Sequence, residues 1–387
     1  MSLERLYYFD PFSNIVLSCR LNRKVEAEEL IKDLQSGLLS VPALAQGISL
    51  GEQGQLVYEK LGYCANLHNI SSSDQAEEEI LWELMSHAFD LPKGESIKIV
   101  YKPTEEGYVL YLCMHHLIGD ANSLLLLLRQ MLCGASADIP ESASAESEDV
   151  ELDPQSRYLL AAIEKQCVKG KPYSSRDYLS MHERIFARSK PEIRKICLQE
   201  QELLAMKKHC KEQGISLTAY MVSELANNRD LDLICLPVDT RSCPGSFGNF
   251  VGRIDIDRRF LRNRDNIPQA IQSRIRQALE DRDAQARSQQ LLSRIPPQFY
   301  DDVIFDRYGD RPKPSVRSTA KLLGYKDPRP TAFLSNLKEV QFQAEGISEL
   351  CFYPPHPAER YATIGVVTYN NQMVITVQKF RKDGCNE

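Results

Sequence analysis

The stretch that most constrains the fold covers residues 108–128 and reads YVLYLCMHHLIGDANSLLLLL. Its first seven side chains fall into two alternating sets that are both apolar, which predicts a β-strand covered on its two faces. Gly119-Asp120 is a turn signal, and Asp120 or Asn122 can cap the helix predicted by the apolar run that follows. The pattern therefore predicts a buried strand that ends at two histidines, followed by a turn and a helix.

His115 and His116 stand at the end of this strand, and successive side chains of a strand point to opposite faces. An imidazole has an ordinary pKa of about 6.5, so near pH 7 it is mostly neutral and can accept a proton from a hydroxyl or an amine. One histidine is therefore a candidate general base, although a structural histidine fits the same spacing. We predict no metal site, because no ligand spacing connects this pair to the other histidines, His68, His87, His182, His209 and His356.

Length and composition exclude several classes of protein. The 387 residues favour two domains, and 43% hydrophobic with 26% charged residues is ordinary for a globular chain. A net charge of −6 argues against nucleic-acid binding. The sequence shows neither a long apolar run nor a signal peptide at MSLERLYYFD, and its 11 cysteines form no CxxC pair. We expect a cytoplasmic protein with reduced thiols and no membrane span.

The alternation and turn signals indicate an α/β (α+β) fold, and the length favours two domains. Residues 136–154 are rich in Ser, Ala and acids without an apolar period, so we predict a solvated linker between lobes at 1–135 and 155–387. A regulatory or docking role for the linker is the alternative.

Local patterns predict the individual elements. Strands are expected at 14–21, 55–60, 95–102, 193–199, 231–237 and 331–337, with a terminal hairpin of 363–369 and 373–379 around Asn370-Asn371. Helices are expected at 25–36, closed by Gly37, and at 76–88, 154–166, 174–188, 200–213, 216–226 and 266–287. The arginines of the last helix alternate with acids, which favours a solvated surface over a phosphate site.

The segment HHLIGDA, residues 115–121, resembles the HHxxxDG signature of the chloramphenicol acetyltransferase-like superfamily, which includes condensation domains and stand-alone acyltransferases. The resemblance implies that the second histidine, His116, is catalytic. It also implies that His115, Gly119 and Asp120 are supporting residues and that Asp120 is structural. Ala121 stands where the family has glycine.

VPALAQGI at residues 41–48 is similar to an N-terminal element of the family, in which many members have an arginine that pairs with the motif aspartate. The corresponding residue here is Ala45. Asp120 must therefore pair with another cation, and Arg20 is the nearest candidate by order in the chain.

A second resemblance lies at VDTRSCPGSFGNFVG, residues 238–252, in which Asp239 and Arg241 match the family's Asp-x-Arg. Phe247, Gly248 and Asn249 match the loop that follows it. Ser246 replaces the aspartate of the plant branch. The resemblance implies a structural loop that braces the site, whereas the glycines alone fit a mobile or tight loop.

Ser335-Asn336-Leu337-Lys338 resembles the family's SNLG element near the donor channel, with Lys338 in place of glycine. The serine hydroxyl is a candidate to bond a developing oxyanion, and it equally fits a cap at the strand end.

The resemblance implies two lobes in a V around a central tunnel with His116 at its floor. It implies transfer of an acyl group from coenzyme A or from a carrier protein's phosphopantetheine to a small hydroxyl or amine acceptor, without a permanently bound cofactor. We expect a monomer. A carrier-protein condensation enzyme that forms amides or esters is one alternative, and a noncatalytic binding module with the same fold is another.

Overall fold

A computed structural model of the protein describes residues 2–52, 55–134, 151–166, 173–187, 190–228, 230–241, 243, 245–262, 264–281, 287, 290–308, 316, 330–356 and 361–380. The helices are α1 (Ser2–Phe9), α2 (Ala27–Leu39), α3 (Glu77–Met85), α4 (Ala121–Cys133), α5 (Pro154–Gln166), α6 (Ser175–Phe186), α7 (Glu200–Glu212), α8 (Leu217–Ala226), α9 (Arg258–Leu261), α10 (Ile267–Glu280) and α11 (Pro297–Tyr308). The strands are β1 (Asn14–Leu21), β2 (Gln46–Leu50), β3 (Leu56–Lys60), β4 (Ile70–Ser72), β5 (Ile97–Pro103), β6 (Tyr108–His115), β7 (Pro191–Leu198), β8 (Leu233–Asp239), β9 (Val251–Asp257), β10 (Thr331–Glu339), β11 (Ile347–Tyr353), β12 (Ala362–Tyr369) and β13 (Gln372–Phe380).

The first sheet has five strands in the order β11-β1-β6-β5-β4. β1 runs antiparallel to β6 and places Asn14 opposite His115, so the start of β1 lies beside the end of the histidine strand. β11 pairs with the other edge of β1 although more than 300 residues separate the two strands in the chain. The sheet around the histidines is therefore completed by a strand from the second half of the chain.

The second sheet has six strands in the order β7-β13-β12-β10-β8-β9, with parallel pairs at β12-β10 and β10-β8. β12 and β13 form the predicted terminal hairpin, and its turn residues Asn370 and Asn371 have φ values of 45° and 60°. These left-handed angles are the ones that a two-residue turn requires. A third sheet has two strands, β2 and β3. The two larger sheets confirm the two-lobed α/β architecture.

Buried apolar side chains cover both sheets. One cluster surrounds the first sheet with α2, α3 and α4, and it also takes in Phe247, Ile304 and Phe305 from the second half of the chain. A second cluster packs α7, α8 and α10 on the six-stranded sheet, and a third lies around Phe299 of α11. Because the first cluster crosses between the halves, the core fixes how the second half meets the histidine strand.

Most predicted elements are confirmed within a few residues, and β1 and α5 match their predicted bounds. Gly37 was predicted to end the second helix, and this is wrong, because α2 continues to Leu39. A Cβ on Gly37 would lie 2.8 Å from Cα of Met131, so the close approach of α4 explains this glycine. The helix predicted at 266–287 ends at Glu280, and residues 282–286 are outside the described part.

Of the predicted linker at 136–154, only residues 151–154 lie within the described part; Leu152 there is buried, and Pro154 begins α5. Among the residues that the structure describes, no helix has the length and apolar character needed to span a membrane.

Candidate active site

The histidine pair is held by the backbone at the end of β6, whose eight residues are all buried. The backbone N–H of His115 donates to the carbonyl of Ser96 at 2.9 Å. The N–H of His116 donates to the carbonyl of Ser13 at 2.6 Å. Both backbone N–H groups are therefore satisfied where the chain leaves the sheet, and these bonds fix the position of the His116 backbone.

His115 faces the core of the first lobe. Its ring lies edge-on to Phe89, with 6.0 Å between ring centroids, and its Nδ1 accepts a hydrogen bond from the N–H of Leu117 at 3.3 Å. Burial lowers the pKa of His115 to about 3, and the neighbouring His116 and His182 add to this effect. His115 is consequently neutral near pH 7 and has its Nδ1 occupied by the backbone.

His116 is only partly buried, and its ring lies 5.0 Å from the ring of Tyr7 in α1. Within the described residues, its Nδ1 has no hydrogen-bond partner. Burial lowers the pKa of His116, while the charge of Asp120 and the backbone of His116 and Gly119 act in the opposite direction. Because its pKa lies below the ordinary value of about 6.5, the imidazole is mostly neutral near pH 7, as a proton acceptor requires.

Asp120 connects the turn to the second half of the chain. Its carboxylate caps α4 by accepting from the N–H of Ser123 at 2.9 Å. Both of its oxygens also accept from Nη2 of Arg241, at 2.7 and 2.6 Å. The pair is almost fully shielded from solvent, with side chains 5% and 11% exposed, so Asp120 joins two segments that are distant in sequence.

The prediction that Arg20 pairs with Asp120 is wrong. Arg20 lies within β1, in register with Glu349 of β11 and Val109 of β6, and the cation that reaches Asp120 is Arg241. Arg241 follows β8, and its guanidinium also lies over the ring of Phe250 at 5.2 Å. The positive charge beside Asp120 therefore comes from the residue that follows β8 of the second sheet, and not from β1 of the first sheet.

Asp239 belongs to the same set of contacts. Its carboxylate accepts from Nδ2 of Asn122 at 3.1 Å, and it lies 3.4 Å from Nη1 of Arg241. Asn122 stands on the first turn of α4, so a second polar contact ties the histidine turn to the end of β8.

The Phe-Gly loop closes over the turn. The N–H of Asp120 donates to the carbonyl of Gly248 at 3.1 Å, and the hydroxyl of Ser123 donates to that carbonyl at 2.8 Å. Nδ2 of Asn249 donates to the carbonyl of His116 at 2.8 Å. Phe247 anchors the loop in the first hydrophobic cluster. Both backbone groups of His116 are therefore held, its N–H by the first lobe and its carbonyl by the second.

The residues that depart from the family pattern fit this backbone. Ala121 is the first residue of α4 and has an ordinary negative φ, so the position does not require glycine. Gly119 is tightly packed, because a Cβ there would lie 2.8 Å from Cβ of Ser123. Ala45 ends a short 3₁₀ turn, and Ser246 is buried with its N–H directed to Cys243.

Ser335 and Asn336 lie on β10. The amide of Asn336 donates to the hydroxyl of Thr218 at 3.0 Å and accepts from the N–H of Lys338 at 2.8 Å. Within the described residues, no hydrogen bond joins Ser335 or Asn336 to His116. A donor-channel role for Ser335 stays a prediction.

Four residues that contact the histidine pair or its turn were not predicted from the sequence: Tyr7, Ser13, Ser96 and Ser123. Ser13 stands directly before β1, and the antiparallel register of two predicted strands would have placed it near His116. Tyr7 lies in α1, which the sequence patterns did not predict, so no comparable signal places it near His116.

Comparison with known proteins gives one match in sequence and many in structure. No protein-family model matches the chain. A polyketide synthase-nonribosomal peptide synthetase from Aspergillus clavatus is 30% identical over 132 residues, which is 33% of this chain and 3% of that protein. The match therefore spans only a small part of the relative.

Three solved structures resemble nearly the whole chain. The condensation domain of the monacolin K polyketide synthase MokA has a TM-score of 0.59 at 15% identity, covering 98% of this chain and 90% of the domain. The polyketide synthase associated protein 5 of Mycobacterium tuberculosis has a TM-score of 0.56 at 14% identity, and the match covers 98% of this chain and 92% of that protein. A mutant of the starter condensation domain of the rhizomide synthetase RzmA, in complex with C8-CoA, has a TM-score of 0.54 at 14% identity. This match covers 98% of this chain and 87% of that domain.

Proposed function

Since the chain has the fold of condensation domains in the chloramphenicol acetyltransferase-like superfamily, we propose that it is an acyltransferase. The reaction moves an acyl group from a thioester to a hydroxyl or an amine, with His116 as the general base. The observation that carries the proposal is how His116 is held. Ser13 and Asn249 bond to its backbone N–H and carbonyl, and burial lowers the pKa of its imidazole.

In the proposed reaction, His116 takes the proton from the acceptor's O–H or N–H as the acceptor attacks the thioester carbonyl. The tetrahedral intermediate then expels the thiolate, and the imidazolium returns the proton to the sulfur. The carboxylate of Asp120 favours the charged imidazole electrostatically. Its hydrogen bonds to Ser123 and Arg241 keep the turn in place, so its main role is structural. No covalent acyl-enzyme is needed, and holding both substrates beside His116 supplies part of the rate.

We further propose that the two substrates reach His116 through a tunnel between the lobes, a common place for ligand sites. The donor is a thioester of coenzyme A or of a carrier protein's phosphopantetheine. The complex of the RzmA domain with C8-CoA supports a coenzyme A donor. The similarity to a polyketide synthase-nonribosomal peptide synthetase supports a carrier protein.

Replacement of His116 tests the proposal. The purified chain is incubated with acetyl-CoA or octanoyl-CoA and a panel of alcohols and amines, and released coenzyme A and acylated products are measured by mass spectrometry. We expect His116→Ala to lower the rate by roughly 10² to 10⁴, as loss of a general base does.

The matched control is His209→Ala, which removes an exposed histidine from α7 and should keep the parent rate. His115→Ala should lose less activity than His116→Ala. A His116→Ala variant with the parent rate would contradict the assignment of the base. Turnover of an acylated carrier protein, but of neither coenzyme A thioester, would identify the carrier protein as the donor.

A further inference from the structure

We infer that Tyr7 is a positioning residue for His116: its ring packs on the imidazole, sets the ring's orientation and excludes water from one side of it. The inference rests on the proposed role of His116 as the base. It concerns a helix, α1, that lies outside the histidine motif and outside the Phe-Gly loop.

The contacts of His116 show why a packing residue is needed. Ser13 and Asn249 bond to the backbone of His116 and not to its ring. The carboxylate of Asp120 is bonded to Arg241 and to the backbone N–H groups of Ser123 and Phe250. Within the described residues, Nδ1 of His116 has no hydrogen-bond partner. The backbone of His116 and Gly119 interacts with the imidazole from the side of the turn. The ring of Tyr7, 5.0 Å away, packs on the imidazole and adds to its orientation.

α1 is itself held firmly enough to act as a support. Arg5 and Asp301 form an ion pair that buries both side chains, with Nε of Arg5 2.7 Å from Oδ1 of Asp301, and so connects α1 to α11. The carbonyl of Tyr7 accepts a hydrogen bond from the hydroxyl of Ser13 at 3.0 Å. Ser13 in turn accepts the N–H of His116, so the backbones of Tyr7 and His116 are linked through one residue.

Charged and titratable groups near the imidazole determine how it responds to the loss of Tyr7. They are Asp120 with its partner Arg241, and the neutral His115. None of them changes when Tyr7 is truncated. Water that enters the vacated space would remove part of the burial that lowers the pKa of His116. The pKa of His116 should then rise toward its ordinary value of about 6.5, and the loosened ring should act more slowly as a base.

The test compares Tyr7→Ala, Tyr7→Phe and a control, Tyr158→Ala, which truncates a tyrosine that is 77% exposed on α5. The pKa of His116 is measured by NMR on ¹³C-histidine-labelled protein without substrate, with the signal assigned by its loss in His116→Gln. The rate is measured across pH with octanoyl-CoA and the best acceptor.

We expect Tyr7→Ala to lower kcat roughly 10-fold, because small misplacements of reacting groups have large effects on rate. The acidic limb of kcat/KM should move to higher pH with the measured pKa of His116. Tyr7→Phe should restore most of the rate and the parent titration, because it keeps the ring that packs on the imidazole.

An unchanged pKa of His116 together with an unchanged kcat in Tyr7→Ala would overturn the inference, as would a Phe variant as impaired as the Ala variant. If Tyr7→Ala does not fold by circular dichroism, Tyr7→Leu replaces it and the same outcomes apply. The NMR titration needs no turnover, so it tests the contact of Tyr7 even if His116→Ala shows that His116 is not the base.

Discussion

The ion pair between Asp120 and Arg241 offers a sharp test of how the site is held. Asp120→Asn keeps the side-chain volume and one oxygen for capping α4, but it removes the negative charge beside a guanidinium that is 11% exposed. Removing one partner of a buried ion pair costs about 3–5 kcal/mol. Arg241 retains Asp239 at 3.4 Å and the ring of Phe250. We therefore expect the lower end, about 3 kcal/mol of the free energy of unfolding.

Urea unfolding followed by circular dichroism measures this loss. The control is Glu212→Gln, which breaks the pair of Lys208 and Glu212, 78% and 60% exposed, and should cost less than about 0.5 kcal/mol. A double-mutant cycle of Asp120→Asn with Arg241→Gln should show a coupling of roughly 2–3 kcal/mol. The corresponding cycle with Arg20→Gln should be additive within about 0.5 kcal/mol.

Two results would refute this reasoning. One is an Asp120→Asn variant no less stable than Glu212→Gln, which would mean that the pair is not energetically significant. The other is an Asp120→Asn variant with unchanged stability and no acyl transfer, which would place Asp120 among the catalytic groups.

Three further predictions concern packing, protonation and backbone conformation. Gly119→Val should lower both the melting temperature and the rate of acyl transfer, because the added Cβ would collide with Ser123. Gly62→Val is the control and should change neither, because no atom lies within 4 Å of the added Cβ. Stability should fall below pH 6.5, because burial lowers the pKa of His115 to about 3 and that of His87 and His182 to about 4, so the unfolded chain binds protons that the folded chain excludes. Protonation of the unfolded chain at the buried His115 and His182 costs about 1.4 kcal/mol each at about pH 5.5. Urea unfolding of His182→Gln should therefore show a shallower dependence of the free energy of unfolding on pH, and an identical dependence would count against this. Lys338→Gly should raise the free energy of unfolding by about 0.5–1 kcal/mol, since Lys338 has a φ of 62°, whereas Lys208→Gly in α7 should lower it; equal losses would contradict the backbone argument.

The sequence alone determined the elements that depend on near neighbours in the chain. The period of two at residues 108–114 predicted strand β6, and the local composition of residues 14–21 predicted strand β1. The Gly119-Asp120 turn and the cap of α4 by Asp120 followed from side-chain chemistry within three residues. The order of motifs also led to the condensation-domain fold, which the structural comparisons share along nearly the whole chain.

Only the tertiary structure decided which distant residues meet at the histidine turn. The chain has 47 lysines and arginines, and nothing local shows which one reaches Asp120. Arg241 does so because β8 ends beside the turn, and Arg20 does not because its strand runs away from the turn. β11 joins the first sheet, and α1 brings Tyr7 to His116, through packing that no sequence period reports. Contacts of this kind depend on distances through space, and those are fixed only when the two sheets pack together.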